Sequence, residues 1–455
     1  DIMMTGAKAN LFKELSSVKE FFATKSIMQV IDFPFFIFAL ITIFLISPAV
    51  AMVPLSIAIL IVVINISLQI PISNLSKKHL ENTQSKHNYL IESIQAIDTV
   101  KLSNALSSKL FKWRSVISHT EDIQMKIQKV NTFALNISQT LIQLTTILVI
   151  VVGVFEISTK NLSVGGLIAV TILASRAMVP VISISTMLIR FKEIKHSLLN
   201  LRDFWILPLE NEKNIEIGLG ELKGNIEFKN VTFFFKNSKY PSIDNINLEI
   251  KSGEKVGIIG QTGAGKSTIL KLLTGLLHPT QGSIFIDNHD VSTIHPVEIR
   301  DNIGVMVQDP FLFNGTLKEN IELSRPISKE KMMDLITLTG LEDLVKKSGQ
   351  GDGIPVGERG SNLSSGQRHL VGLARAIAND PKILILDEPT TGLDVGLEKK
   401  LMINLKDIVK DKTLILITHR FAALELVDRI IVLNEGKIVA NGPRDAVLQA
   451  LRNQR

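Results

Sequence analysis

Residues 260–267 read Gly260-Gln261-Thr262-Gly263-Ala264-Gly265-Lys266-Ser267, and this octet decides how the C-terminal half folds. An apolar run from Val256 to Ile259 precedes it, and a stretch with helical character from Thr268 to Leu277 follows. Strand, glycine-rich loop and helix in that order make a P-loop. The glycines let backbone N–H groups close on phosphate oxygens, and the helix N-terminus adds a favourable dipole. Lys266 is placed to reach the β- and γ-phosphates, Ser267 to ligate Mg²⁺, and Thr268 to complete the phosphate-contacting stretch.

Downstream, Ile383-Leu384-Ile385-Leu386-Asp387-Glu388 is a buried-strand pattern ending in two acids. A carboxylate at Asp387 suits a Mg²⁺ ion and its water shell, and Glu388, one residue on, suits polarisation of an attacking water. Short apolar runs at 256–259 and 383–386 lack alternation, as strands buried on both faces of a parallel sheet do. With helical stretches between them, residues 223–455 are expected to form an α/β nucleotide-binding domain.

The N-terminal half has a different character. Of 455 residues 45% are hydrophobic, mean hydropathy is +0.27, and 21% are still charged. That balance joins a membrane segment to a water-facing domain. Net charge is +6 with pI near 9.2, which cytoplasmic loops of a membrane protein explain better than nucleic-acid binding. The chain contains no cysteine, which excludes disulfides, thiolate metal sites and a cysteine nucleophile within it. No basic-then-apolar secretory signal opens the sequence, and a start on Asp1 suggests that it begins partway into a longer protein.

Four apolar runs are expected to span a bilayer, at 31–47, 49–70, 132–155 and 162–187. Pro48 separates the first two, so a very tight turn joins them. The core of the first, 33–47, covers about 22 Å, short of a hydrocarbon core of roughly 30 Å. Residues 71–131 are polar and lysine-rich and read as cytoplasmic helical extensions. The joints at 47–48 and 156–161 are nearly charge-free. By contrast, the N-terminal stretch (Lys8, Lys13, Lys19, Lys25), the 71–131 stretch and everything after Arg190 are basic. By the positive-inside rule these three lie in the cytoplasm, and four spans return the chain to its starting side. Residues 206–222, polar with Pro and Gly, are expected to be a linker between a transmembrane domain at 1–205 and the nucleotide domain.

Leu363-Ser364-Ser365-Gly366-Gln367, upstream of Asp387, resembles the signature motif of ABC ATPases. Other matches follow in the family's order. Gln308 resembles the Q-loop glutamine, His419 the switch histidine, Asp394 the D-loop aspartate and Phe235 the aromatic A-loop residue. Two departures stand out. Ser365 replaces a glycine of the usual signature, and Thr391-Gly392 replaces Ser-Ala before Leu393-Asp394. The resemblance implies that Glu388, His419 and Gln308 act in ATP hydrolysis and that Ser267, Gln308 and Asp387 hold Mg²⁺. It also implies a homodimer in which each ATP lies between one P-loop and the partner's signature.

The membrane half resembles the exporter type, with a coupling helix expected near 97–109. Exporter halves usually carry six spans, so the missing pair is expected before Asp1. Leu173-Ala174-Ser175-Arg176-Ala177-Met178-Val179-Pro180 resembles type I secretion ATPases, inner-membrane subunits that export proteins or peptides with a periplasmic adaptor and an outer-membrane channel. An unpaired charge at Arg176, mid-span, costs roughly 2.5–3.5 kcal/mol, so it either lines a substrate path or pairs with a helix outside this sequence. Rival readings are a lipid or drug exporter, an ATP-gated channel or regulator, and a soluble ABC ATPase acting on DNA. The intact Glu388 and His419 argue against the second, and the apolar spans argue against the third.

Overall fold

The structure, a computed structural model, describes residues 15–16, 18–21, 26–207, 210, 220, 222–236, 238–323 and 325–453. Lys8, Lys13 and Lys25 of the basic N-terminal stretch, most of the 206–222 linker, and the side chains of 182–193 lie outside the described residues. The chain divides into two compact units, Asp1–Leu207 and Pro208–Arg455.

The first unit is helical: α1 (Ser26–Ile46), α2 (Pro48–Gln95), α3 (Ile97–Leu102), α4 (Leu106–Ser158) and α5 (Val164–Trp205). The tight joint falls where the proline demands it. Ser47 is extended, its Oγ accepts from Val50 N at 3.5 Å, and Pro48 occupies the first helical turn, where a missing N–H costs nothing. The apolar runs and the polar stretches that extend them are continuous helices, so α2 passes from apolar to polar sequence without a break. Tyr89 fastens the extension of α2 to that of α4. Its hydroxyl donates to Lys109 O at 3.1 Å and its ring stacks on Trp113. The short helix at their turn is only Ile97–Leu102, because Asn104 adopts φ +52° and breaks it. Leu106 to Lys109, expected within that helix, begin α4 instead. The last span likewise starts at Val164 rather than 162, with Ser163 as its N-cap.

Among the described residues, three of these helices are long and apolar enough to cross a membrane, and the apolar part of α1, Asp32–Ile46, is shorter, as its sequence foretells. Each buries one stripe, such as Ile43, Val50, Val149 and Ala174, yet stays apolar on the other face, with Phe38 69% and Leu45 79% exposed. Helices that are apolar all round belong in lipid or against further helices. Gly153 admits Leu167 so closely that a Cβ there would lie 2.3 Å from Leu167 Cδ1, and buried Asn65 donates to Ser138 Oγ at 3.0 Å across the α2–α4 interface.

The second unit is α/β. An antiparallel sheet runs in the order β2 (Ile243–Ile250), β1 (Ile226–Phe233), β4 (Gln281–Ile286), β5 (His289–Asp290). A six-stranded sheet runs β10 (Lys437–Pro443), β9 (Arg429–Asn434), β3 (Lys255–Gly260), β8 (Thr413–Ile417), β7 (Ile383–Asp387), β6 (Ile303–Met306), parallel except for the β9–β10 edge. The central strands sort their side chains by face. Leu384, Leu386, Leu414 and Leu416 enter one core, while Ile383, Ile385, Ile415 and Ile417 enter the other. Each such burial is worth about 1.5–3 kcal/mol, which is why the runs are continuous rather than alternating. The helices of this unit are α6 (Lys266–Leu273), α7 (Pro296–Asn302), α8 (Leu317–Glu322), α9 (Lys329–Thr339), α10 (Glu342–Ser348), α11 (Ser365–Ile377), α12 (Val395–Ile408) and α13 (Arg444–Asn453).

Candidate functional site

The octet 260–267 leaves the C-terminal end of β3 and turns into α6, which starts at Lys266 and ends at Leu273, shorter than the 268–277 expected. Gly275 at φ +66° stops it. Gly263 and Gly265 take φ +85° and +102°. A Cβ at Gly265 would lie 2.6 Å from Ser242 O, while one at Gly263 would meet nothing. The first glycine required for packing and the second left open are what a phosphate cradle needs. Lys266 Nζ donates to Gly260 O at 2.7 Å and Gln261 O at 2.9 Å, holding its charge over the loop. Thr268 is different. Its hydroxyl is buried against Ser242 Oγ at 2.9 Å, so it anchors the loop to the β1–β2 hairpin. That hairpin carries Phe235, 45% exposed and edge-on to Phe233 at 5.0 Å, so the ring is a free surface rather than core. Thr262 is exposed and Ala264 buried within the loop.

Asp387 ends β7, and Ser267 Oγ donates to its Oδ2 at 3.3 Å. Burial pushes the Asp387 carboxyl above its ordinary value, the Ser267 hydrogen bond opposes this, and neighbouring Glu388 adds to the rise. A divalent cation would reverse that balance. One hydroxyl and one carboxylate at this spacing are a donor set that fits Mg²⁺, which takes few protein ligands and completes its shell with phosphate oxygens and water. Among the described residues no group of three or more His, Cys, Asp or Glu could hold a metal by itself. Gln308 is not brought to this pair. Its side chain is exposed without a hydrogen bond among the described residues, and only its backbone is held.

Glu388 is 7% exposed and sits at φ +53°, a left-handed conformation uncommon for a non-glycine residue. Its Oε1 accepts from His419 N at 3.1 Å and is 2.6 Å from His419 Nδ1, and its Oε2 accepts from Thr418 Oγ1 at 3.2 Å. Glu388 and His419 are therefore one hydrogen-bonded unit beside β3, as β8, which carries Thr418 and His419 on its end, pairs with both β3 and β7.

The signature stretch is a helix N-terminus. Ser364 Oγ accepts from Gln367 N at 3.2 Å, and Gln367 Oε1 accepts from Ser364 N at 2.9 Å, a capping box opening the 13 residues of α11. Leu363 is buried and anchors the cap, whereas Ser364 and Ser365 are exposed at the positive end of the helix dipole. The spacing Ser364-x-x-Gln367 signals this cap in the sequence. Asp394 caps α12, its Oδ1 accepting from Leu397 N at 2.9 Å.

Two participants were missed from sequence. His369 is buried in α11, with Nδ1 2.8 Å from Ser365 O and Nε2 2.6 Å from Gln308 O, so one ring ties the signature to the Gln308 loop. Arg420, next to His419, donates to Glu398 of α12 at 3.0 Å, tying the switch to the Asp394 turn. Neither pairing leaves a local pattern, since the partners are 61 and 22 residues apart. Arg176 lies exposed on α5, flanked by exposed Ile172 and Val179, with no hydrogen bond or ion pair among the described residues.

Residues 243–391 match the family described as ABC transporter, and residues 1–181 match ABC transporter transmembrane region. Similar proteins include the leukotoxin translocation ATP-binding protein LktB of Mannheimia glucosida, 31% identical over 440 residues. They also include the alpha-hemolysin translocation ATP-binding protein HlyB of Escherichia coli O6:H1, 32% identical over 443 residues. Each alignment covers 96% of this chain, which spans 62% of each relative's length. Among solved structures, a bacterial Atm1-family ABC exporter with ATP bound superposes with a TM-score of 0.88 at 22% identity, covering 99% of this chain and 78% of that one, a likeness of fold. With the helical membrane half, the nucleotide cradle and the signature cap in one polypeptide, the chain belongs to the ABC transporters, joining their transmembrane region to their ATP-binding domain.

Proposed function

We propose that this chain is the ATP-hydrolysing permease subunit of a type I secretion system, moving a protein or peptide out of the cytoplasm. Its similarity to toxin translocation proteins along 96% of its length supports that substrate class. Two copies pair, each ATP held between the P-loop of one and Leu363 to Gln367 of the other. The membrane is the inner membrane, with residues 1–205 as the transmembrane domain, 223–455 as the nucleotide domain in the cytoplasm, and an adaptor and outer-membrane channel as partners.

The observation that carries the ATPase reading is the Glu388–His419 unit beside the Ser267–Asp387 pair. Lys266 exchanges its loop carbonyls for phosphate oxygens, and Phe235 offers its ring to the adenine. Ser267 and Asp387 would hold Mg²⁺, with Gln308 as a further ligand. Bound there, Mg²⁺ supplies charge neutralisation on the phosphates. Glu388 takes a proton from the attacking water, and His419 and Thr418 fix its orientation. Ser364 and the N–H groups of Ser365 and Gly366 meet the γ-phosphate of the partner's ATP, an interaction that exists only before cleavage, so hydrolysis releases the pair. Arg176 lines the substrate path.

The test is secretion from cells carrying the chain together with a type I secretion adaptor and outer-membrane channel. Cargo should reach the medium with wild type and stay inside with Glu388→Gln. Secretion that survives this change would refute the coupling, and failure to export any protein while lipid or drug efflux proceeds would reassign the substrate.

A further inference from the structure

The two departures from the family's motifs meet in space. Gly366 of the signature and Gly392 of the Asp394 turn are backed against one another, since a Cβ on Gly366 would lie 2.6 Å from Gly392 O. A Cβ on Gly392 would lie 3.0 Å from Ser365 Oγ and 3.2 Å from Gly366 N, closer than side chains ordinarily pack. The usual pattern carries glycine at the position of Ser365 and alanine at that of Gly392. Here the side-chain group has moved from one wall of the contact to the other.

We propose that Ser365 and Gly392 are a matched pair that sets the spacing between the signature cap and the Asp394 turn, Ser365 acting as a positioning residue through its hydroxyl. Three features converge on this contact. Gly392 stands at φ +78°, so the turn that leads to Asp394 is bent where the hydroxyl rests. His369 Nδ1 packs 2.8 Å from Ser365 O, which leaves the residue little freedom to retreat. Ser364, one residue away, is locked by its capping box, so displacement of Ser365 would move the whole N-terminus of α11. This inference rests on the paired-ATPase reading, in which that N-terminus faces the partner's nucleotide.

The experiment is a double-mutant cycle on the full chain in lipid nanodiscs, with Gly392→Ala, Ser365→Gly and the two combined. Gly392→Ala should lower kcat for Mg-ATP by about tenfold through overpacking, with KM for ATP nearly unchanged because the P-loop is untouched. Adding Ser365→Gly should restore kcat at least about threefold over Gly392→Ala, so that the losses do not multiply. A double variant whose loss equals the product of the single losses would overturn the pairing. Should Gly392→Ala fail to fold while the double variant folds, the pairing stands. Should both fail, backbone strain at Gly392 decides and the pairing is refuted. Thermal unfolding of the same variants without nucleotide reads the same cycle. Absence of turnover in the wild type would thus reject the ATPase reading, and the pairing would still be decided by the unfolding data.

Discussion

The buried carboxylate of Glu388 and the exposed ring of His419 are joined at 2.6 Å between Oε1 and Nδ1. His419 N and Thr418 Oγ1 complete the set of donors, and the left-handed backbone of Glu388 aims the side chain at them. The left-handed conformation persists because three contacts to one carboxylate determine it, and they fix the orientation of Glu388.

Glu388→Gln keeps the size of the side chain and removes its basicity. Mg-ATP turnover should fall by about a hundred- to ten-thousandfold, while equilibrium ATP binding stays close to wild type. Steady-state hydrolysis and a nucleotide-binding titration on the same preparation check both halves.

Lys266→Ala should act on binding. The cation now resting on Gly260 O and Gln261 O would be lost from the phosphate site, and the ATP Kd should rise by about tenfold or more, as charge-assisted contacts are worth about twice neutral ones. Calorimetric titration would show it.

His369→Ala removes the tie between Ser365 O and Gln308 O. Loss of this buried ring, which packs against both carbonyls, should cost about 1–3 kcal/mol of stability. It should also lower kcat more than it raises KM, since the P-loop does not touch this ring. Chemical denaturation together with ATPase kinetics tests the pair of expectations.

The contrast between Glu388 and His369 shows what was legible in the sequence. Strand ends and loop glycines announce themselves locally, so β3 and β7 emerge within one residue of the expected 256–259 and 383–386. Helix ends were less legible. Gly275 and Asn104 stop helices by adopting positive φ, a choice made by tertiary packing as much as by residue type. Contacts such as His369 to Gln308 or Arg420 to Glu398 depend on how β6, β8 and α12 stack, and no periodicity encodes that.

Asp287 gives the nucleotide domain a pH signature. Burial raises its carboxyl, but the N–H groups of Gly224, Asn225 and Lys223 outweigh this and hold it below its ordinary 3.8. A depressed carboxylate stabilises the fold above its unfolded value and loses that contribution as pH falls through the lower folded value. Asp287→Asn, which suits the left-handed φ of +47°, should flatten the fall in stability below about pH 4 and lower stability at pH 7. Unfolding midpoints from pH 3 to 7 would reveal a retained slope if Asp287 were not its source.

Arg176→Leu should impair export and spare basal ATP hydrolysis, since the residue sits on α5, outside the unit that carries the P-loop. Unchanged secretion would remove Arg176 from the path.

In the proposed cycle, Mg-ATP joins the nucleotide domains of two copies. Because the chain has no cysteine, a single one placed at exposed Lys399 can carry a nitroxide uniquely. In a Glu388→Gln background in nanodiscs, pulsed electron resonance should report one short, narrow inter-copy distance with Mg-ATP and a longer, broader one without nucleotide. A distribution unmoved by Mg-ATP, or no inter-copy signal at all, would contradict the account.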